Sequence, residues 1–277
     1  MNVLLFNSHV VYGHVGAQAA VPALQRLGHA VWHVPTVLFS NHPAHGGFAG
    51  EVMPAARIAD LLDGLAARGF LGQVDAVASG YLGSPETAEV VARAVLAVRH
   101  ERPGALYACD PVLGDAGRLY VREGLLEAFR DRLLPLADLA TPNRFELSLL
   151  SNCPIANLDD ALAATRALGR QGPRRVACTS AVEDEREIGA LLLGLEGAHL
   201  ASTTRHPQAP HGAGDLFAAL LLGWLLRGET EPAALGLAAA AAAAVIGASA
   251  GAKELALVAS QDSLLQPIRN ATMCRLA

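Results

Sequence analysis

The chain has 277 residues, is 52% hydrophobic and 17% charged, and carries a formal net charge of -5. This composition excludes a disordered chain, and its mild acidity argues against a dedicated nucleic-acid binder, which needs basic surface. The length suffices for one large core or two domains, but no internal repeat or low-complexity linker divides it, so one domain over residues 1–277 is expected.

The elements run in chain order as follows. Met1–Asn7 is a short apolar run with no basic region before it, so a secretory signal is not expected. Val3–Asn7 reads as a strand, Gly16–Leu27 as a helix ended by Gly28, and Ala30–Val34 as the next strand. Ser40–Gly50 is polar and rich in Gly and His, which suits a flap over a site rather than a core element. Pro54–Arg68 is helical with Pro in its first turn, and Val74–Ser79 is a strand. Ser84 caps a helix to about His100, with Pro85 and Glu86 in its first turn. Ala105–Cys109 is a strand, Arg122–Leu134 a helix and Leu136–Ala140 a strand. Asn143–Ser151 and Leu158–Arg170 are helical. Arg174–Thr179 is a strand, and Ile188–Leu195 with Ala198–Ser202 suggests an antiparallel pair. Helices follow over Ala213–Leu226, Glu231–Ala248 and Lys253–Leu265. The Ala-rich run Leu237–Ile246 is about half a membrane span and reads as buried helix, so no membrane association is expected. Strand–helix alternation over this length predicts a mostly parallel sheet covered on both faces.

Two residue types narrow the chemistry. Cys109, Cys153, Cys178 and Cys274 show no Cys-x-x-Cys pair, so zinc and redox motifs lack support and reduced cytoplasmic thiols are expected. Lys253 is the only lysine among 21 basic residues. Gly247–Lys253 superficially resembles a phosphate-binding loop, but Glu254 replaces the required Ser/Thr and the preceding segment reads as helix rather than strand. Asn7–Gly16 contains no Gly-x-Gly-x-x-Gly, so a dinucleotide-dependent oxidoreductase has no support.

In open parallel sheets ligands collect outside the carboxyl ends of the strands. Polar clusters fall at those ends: Ser8-His9-Val10-Val11-Tyr12-Gly13-His14, Ser79-Gly80-Tyr81-Leu82-Gly83-Ser84, Asp110-Pro111-Val112-Leu113-Gly114-Asp115, Thr141-Pro142-Asn143-Arg144-Phe145-Glu146 and Thr179-Ser180. The carboxylates Asp110, Asp115 and Glu146 suit a hard cation such as magnesium; alternatively Asp110 is a turn residue before Pro111, and Glu146 an exposed first-turn helix residue. His9, His14, His42, His45, His206 and His211 lie in predicted loops without metal-ligand spacing, either against an anionic or aromatic ligand or in solvent.

The most informative stretch is Pro210-His211-Gly212-Ala213-Gly214-Asp215, which opens a long apolar helix. Amides at a helix start lack internal partners and the dipole is positive there, so this turn can hold an anion. Asp215 beside it is placed to take a proton. An anion cradle and a base together suggest phosphoryl transfer to an alcohol; the alternative is a helix with an acidic first turn after a glycine turn.

These segments, with Phe39-Ser40-Asn41-His42, occur in an order that closely resembles the pyridoxal kinases of the ribokinase-like superfamily, over nearly the whole chain. Gly-x-Gly-Asp marks the superfamily; Ser-His-Val-Val-Tyr-Gly and Ser-Asn-His are more specific. The resemblance implies a doubly wound α/β fold, a cytoplasmic homodimer, and phosphorylation of the primary hydroxyl of pyridoxal, with pyridoxine and pyridoxamine as related substrates, by ATP and Mg2+. It makes Asp215 the general base and the amides of Gly212, Ala213 and Gly214 the anion hole. Ser8 and Tyr81 would face the pyridine ring, with His42 nearby. Asp110, Thr141, Asn143, Glu146 and Thr179 would line the nucleotide and cation side, with Asp115 beside Glu146 as a magnesium candidate. Two features depart from the family. Pro43 and Ala44 follow Ser-Asn-His where Thr is usual, removing a hydroxyl and adding rigidity to the substrate flap at 40–50. The nucleotide-covering loop near 202–212 is slightly short, with Arg205, His206 or His211 as candidates to reach phosphate. The rival readings are a kinase of the same fold acting on a hydroxymethylpyrimidine or a sugar, and a non-catalytic pyridoxal-binding protein.

Overall fold

The first two strands continue well past their predicted ends. In the computed structural model, which describes residues 1–268 and 270–276, β1 (Asn2–Tyr12), α1 (Ala17–Arg26) and β2 (Ala30–Asn41) open the chain. They are followed by β3 (Gly50–Val52), α2 (Ala55–Ala66), β4 (Ala76–Ser79), α3 (Pro85–Glu101) and β5 (Leu106–Cys109). A separate hairpin of β6 (Gly114–Asp115) and β7 (Arg118–Leu119) precedes α4 (Leu125–Ala128), β8 (Leu139–Ala140), α5 (Arg144–Ser151) and α6 (Leu158–Gly169). The chain then forms β9 (Arg175–Glu183), β10 (Glu187–Gly194), β11 (Gly197–Thr204), α7 (Ala213–Leu226), α8 (Glu231–Ala248), α9 (Gln261–Leu265) and β12 (Thr272–Leu276).

Ten strands form one sheet in the order β12-β11-β10-β9-β8-β5-β4-β1-β2-β3. The pairs from β2 through β1, β4, β5 and β8 to β9 are parallel, and antiparallel strands flank them at both edges. The chain runs from β1 outward to β2 and β3, then returns across β1 to β4. The strand order therefore reverses between β1 and β4, which is where a doubly wound sheet opens a ligand crevice. Helices cover both faces. Ile58, Leu62, Val91, Val95, Leu147 and Leu168 pack on one face, and Ala20, Leu24, Leu216, Leu220, Leu235 and Ala238 on the other. The alanines of α8 let it lie close to α7, and 61% of this helix, long and apolar enough to span a membrane, is buried in the fold.

Several helices start as their sequences predict. The Ser84 hydroxyl accepts from Thr87 N–H, and Asn143 with Glu146 forms a reciprocal capping box that opens α5. The differences lie elsewhere. β1 does not stop at Asn7; its register against β2 shifts between Asn7 and His9, and pairing resumes to Tyr12↔Asn41. β2 passes through Pro35, which is tolerated because β2 meets β3 only from Val37 and its outer edge at Pro35 needs no donor. The 40–50 segment is therefore carried on a β-ribbon: Ser40 and Asn41 end β2, Pro43–His45 form a 3-10 turn, and Gly50 begins β3. The Arg122–Leu134 helix is reduced to α4, a π turn over Phe129–Leu133 and a 3-10 turn around Pro135. The Lys253–Leu265 helix shrinks to α9, after Gly251 in left-handed conformation (φ 76°). β12, unheralded by any strong strand pattern, adds to β11 at the far edge.

Candidate active site

The two helices that begin nearest the switch point share one carboxylate. Gly212, at φ 92°, turns the chain into α7, and the first helical bond runs from Leu216 N–H to Gly212 C=O at 2.9 Å. The amides of Ala213, Gly214 and Asp215 precede it and have no acceptor within the helix. Asp215 lies in that first turn, and its Oδ2 accepts the N–H of Gly16, the N-cap of α1, at 2.9 Å. Its Oδ1 accepts from Asn7 Nδ2 at 3.1 Å. Asp215 is half-buried by surface area but sits in dense surroundings. Burial pushes its carboxyl above the usual aspartate range, opposed by the Gly16 and Asn7 donors.

One cleft joins Asn7, Ser79, Gly80, Asp110, Thr141 and Asp215 at the carboxyl ends of β1, β4, β5 and β8. A larger groove, about 640 Å³, lies beside the flap between Phe39, Phe48, Met53, Ser84 and Arg122, and none of the predicted site residues lines it. The convergent polar groups, rather than volume, mark the site.

Of the residues expected to face the ring, Ser8 is buried and rests against Gly16, where a Cβ would overlap the Ser8 side chain. Tyr81 is half-buried, its carbonyl accepts from Thr36 Oγ1 at 2.5 Å, and burial raises its phenol above the ordinary value. The flap is tied to itself by Asn41 Nδ2 to Gly47 C=O (2.7 Å) and Ala49 N–H to Ser40 Oγ (2.9 Å). It is tied to the rest of the fold by two histidines. His42 stacks on His211, centroid to centroid 4.3 Å, next to the glycine turn. Burial, then the nearby His211 and His45, pull His42 down to about 4, so it is neutral near pH 7. His45 Nε2 lies 2.6 Å from Glu254 Oε1, while Glu254 Oε2 accepts His14 N–H at 2.7 Å. Pro43 and Ala44 are exposed at the flap tip.

Among the residues expected on the nucleotide and cation side, Thr141 Oγ1 donates to Asp110 Oδ1 at 2.8 Å. Burial, then the charges of Glu146 and Asp215, push Asp110 well above the carboxylate range. Glu146 is not the exposed first-turn residue that the simplest reading allowed; it is 4% exposed. Its oxygens accept from the amides of Leu113 (2.9 Å), Gly114 (3.3 Å) and Asn143 (2.8 Å). Burial outweighs these three donors and raises Glu146 to about 7. Asn143 Nδ2 donates to Gly114 C=O at 2.8 Å, and Asn143 bridges Thr179 in parallel. Asp115 is exposed on the β6–β7 hairpin. Among the described residues no ion pair involves Asp110, Asp115, Glu146 or Asp215. Such uncompensated hard-oxygen donors fit a divalent cation. No three acidic, His or Cys side chains among the described residues converge enough to chelate one alone, so phosphate oxygens and water would complete its shell.

The remaining candidates to reach phosphate have these surroundings. Arg205 pairs with Glu183 at 2.7 Å, and His206 lies against Gly247 of α8. Lys253 is exposed, and Gly247 is inside a helix, so no phosphate loop forms there. Three residues escaped the sequence reading: Asn7, Gly16 and Glu254. An Asn ending an apolar strand was the available signal for Asn7; nothing local marks Glu254.

The sequence model for phosphomethylpyrimidine kinase matches residues 13–256. The pyridoxal kinase of Rubrobacter xylanophilus is 44% identical over 274 residues, covering 96% of this chain and 94% of its own length. That of Deinococcus radiodurans is 44% identical over 278 residues, covering 96% and 93%. In three dimensions the chain is similar to pyridoxal kinase from Leishmania donovani in complex with ADP and pyridoxamine, at a TM-score of 0.93, 32% identity and coverage of 100% and 99%. A sheet reversing between β1 and β4, a glycine turn heading α7 and this extent of similarity lead to one assignment: the chain belongs to the pyridoxal kinases of the phosphomethylpyrimidine kinase family, with their ribokinase-like fold.

Proposed function

We propose that this protein transfers the γ-phosphoryl group of ATP to the primary hydroxyl of pyridoxal, and of pyridoxine and pyridoxamine, giving the 5'-phosphates. The observation that carries this reading is Asp215, held in the first turn of α7 just after the Gly212 turn and in one cleft with Asp110 and Thr141. An alcohol is a weak nucleophile at neutral pH, and a carboxylate with a raised pKa is the better proton acceptor. As the hydroxyl oxygen bonds to the γ-phosphorus, its proton passes to Asp215. The bond from that phosphorus to its bridging oxygen breaks, and ADP leaves. The amides of Gly212, Ala213 and Gly214 meet the charge on the transferring group.

In this reading Ser8 and Tyr81 face the ring, and His42, Pro43 and Ala44 cover it from the flap. Thr141, Asn143 and Thr179 line the nucleotide side. Asp110, Glu146 and Asp115 would face Mg2+, which neutralises phosphate charge when bound. The chain acts as one kinase domain, with segment 202–212 covering the nucleotide. Kinship with the family supports a cytoplasmic homodimer.

Turnover with ATP against a panel of alcohols tests the substrate. Robust use of a hydroxymethylpyrimidine or a sugar, with no pyridoxal phosphorylation, would overturn it. Asp215→Asn tests the base: turnover falls by about 100-fold or more while pyridoxal binding survives. Unchanged turnover removes Asp215 from that role.

A further inference from the structure

Asn7 ends the parallel core of β1 with a side chain that is 3% exposed and hydrogen-bonded at both its oxygen and its nitrogen. Its Oδ1 accepts two backbone amides, Ser8 N–H at 2.8 Å and Tyr81 N–H at 3.1 Å. Both partners are obligate donors, so the carboxamide oxygen must face them, and this fixes which way the amide points. Its Nδ2 is thereby turned to Asp215 Oδ1, 3.1 Å away across 208 residues of chain. The surroundings hold this geometry. A Cβ at Gly80 would run into the Asn7 carboxamide, so only glycine leaves it room. The Asn7 carbonyl is occupied by His33 Nε2 at 3.1 Å, and the register shift after Asn7 releases Ser8 toward Gly16.

We propose that Asn7 is a positioning residue for phosphoryl transfer: one carboxamide locks the orientation of the Asp215 carboxylate and fixes it against the backbone of the two ring-side residues, Ser8 and Tyr81. This rests on the reading of Asp215 as the base. With Oδ1 held by Asn7 and Oδ2 by Gly16 N–H, the carboxylate cannot rotate freely, and its remaining lone pairs are aimed. The hydroxyl it deprotonates hangs from a ring whose seat shares the same anchor. A small error in that distance is costly, because productive attack needs atoms aligned within about 3–3.5 Å.

Asn7→Asp separates positioning from packing. It keeps Oδ1 for Ser8 and Tyr81 and replaces the Nδ2 donor with an oxygen facing Asp215. kcat with pyridoxal and ATP is expected to fall by about 10- to 100-fold, and the acid limb of kcat/KM to move up by about one pH unit. KM for ATP should stay within about twofold, since the Asn7 side chain bonds to Asp215, Ser8 and Tyr81 and to no residue placed on the nucleotide side. In an Asp215→Asn background the same change should alter kcat less than about twofold. If Asn7→Asp does not fold, Asn7→Ser removes the donor without adding charge and is read by the same kcat loss and background test. An unaltered kcat and pH limb, or an equal loss in the Asp215→Asn background, overturns the role of Asn7. Full turnover in Asp215→Asn alone would instead overturn the base, and the two failures are distinguishable.

Discussion

The Gly16 amide and the Asp215 carboxylate meet at 2.9 Å, joining positions 199 residues apart. Gly16 is the N-cap of α1 and Asp215 lies in the first turn of α7, so two helix N-termini converge on one carboxylate. Their positive ends favour the ionised form, whereas burial favours the neutral one; burial is the larger influence and the carboxyl is raised.

Turnover should therefore fall on the acid side at a higher pH than an ordinary aspartate, near 3.9, would give. A raised base loses its charge earlier as pH drops, so the rate rises with pH through the shifted value. A kcat/KM profile from pH 4 to 9 checks this; an acid limb at or below the ordinary aspartate value would contradict it.

Gly212→Ala should lose both stability and activity. Gly212 sits at φ 92°, and an added Cβ would overlap the His14 carbonyl. The left-handed backbone alone costs about 1–2 kcal/mol in a non-glycine residue, and the overlap displaces the amides that head α7. Denaturant unfolding with kinetics in parallel measures it. A fully active variant of parental stability would show that the turn can relax.

Glu146 makes stability depend on pH. Its folded value of about 7 lies above the ordinary glutamate value of 4.5, so its contribution is present below the lower value and lost as pH rises through the higher one. The full swing is about 3 kcal/mol, and Asp110 adds in the same direction. Thermal unfolding between pH 5 and 8 should show a steeper loss in the parent than in Glu146→Gln, and Mg2+ with ADP should recover part of it in the parent alone. Equal slopes would disprove the assignment.

Glu254→Gln should loosen the flap. The carboxylate bridges His45 and the His14 amide, at 17% exposure for Glu254 and 20% for His45. Losing a half-screened pair costs about 1 kcal/mol, which at the flap reads as a rise in pyridoxal KM of about fivefold with kcat nearly kept. Hydrogen exchange in residues 40–50 should speed up. Unchanged exchange there would show that the flap is held by its own bonds.

Much of this protein was legible from its residues in order. Short apolar runs and longer helical patterns, with a cap at Ser84, located the central strands and helices, because those signals are local. The glycine turn with Asp215, and the carboxylates after β5 and β8, stood out by residue type and position at strand ends. The sequence also excluded one way of holding phosphate, since its single lysine, Lys253, is followed by Glu254 rather than the Ser/Thr of a phosphate-binding loop. Only the tertiary structure decided how those groups are poised. The β1–β2 ribbon under the flap depends on each strand finding the other beyond Asn7 and Pro35. Glu146 and Asp110 acquire raised pKa values only by burial, which no local pattern reveals. Asp215 is aimed by Asn7 and Gly16, whose bonds to it cross some 200 residues, and such long-range hydrogen bonds exist only once the sheet has closed.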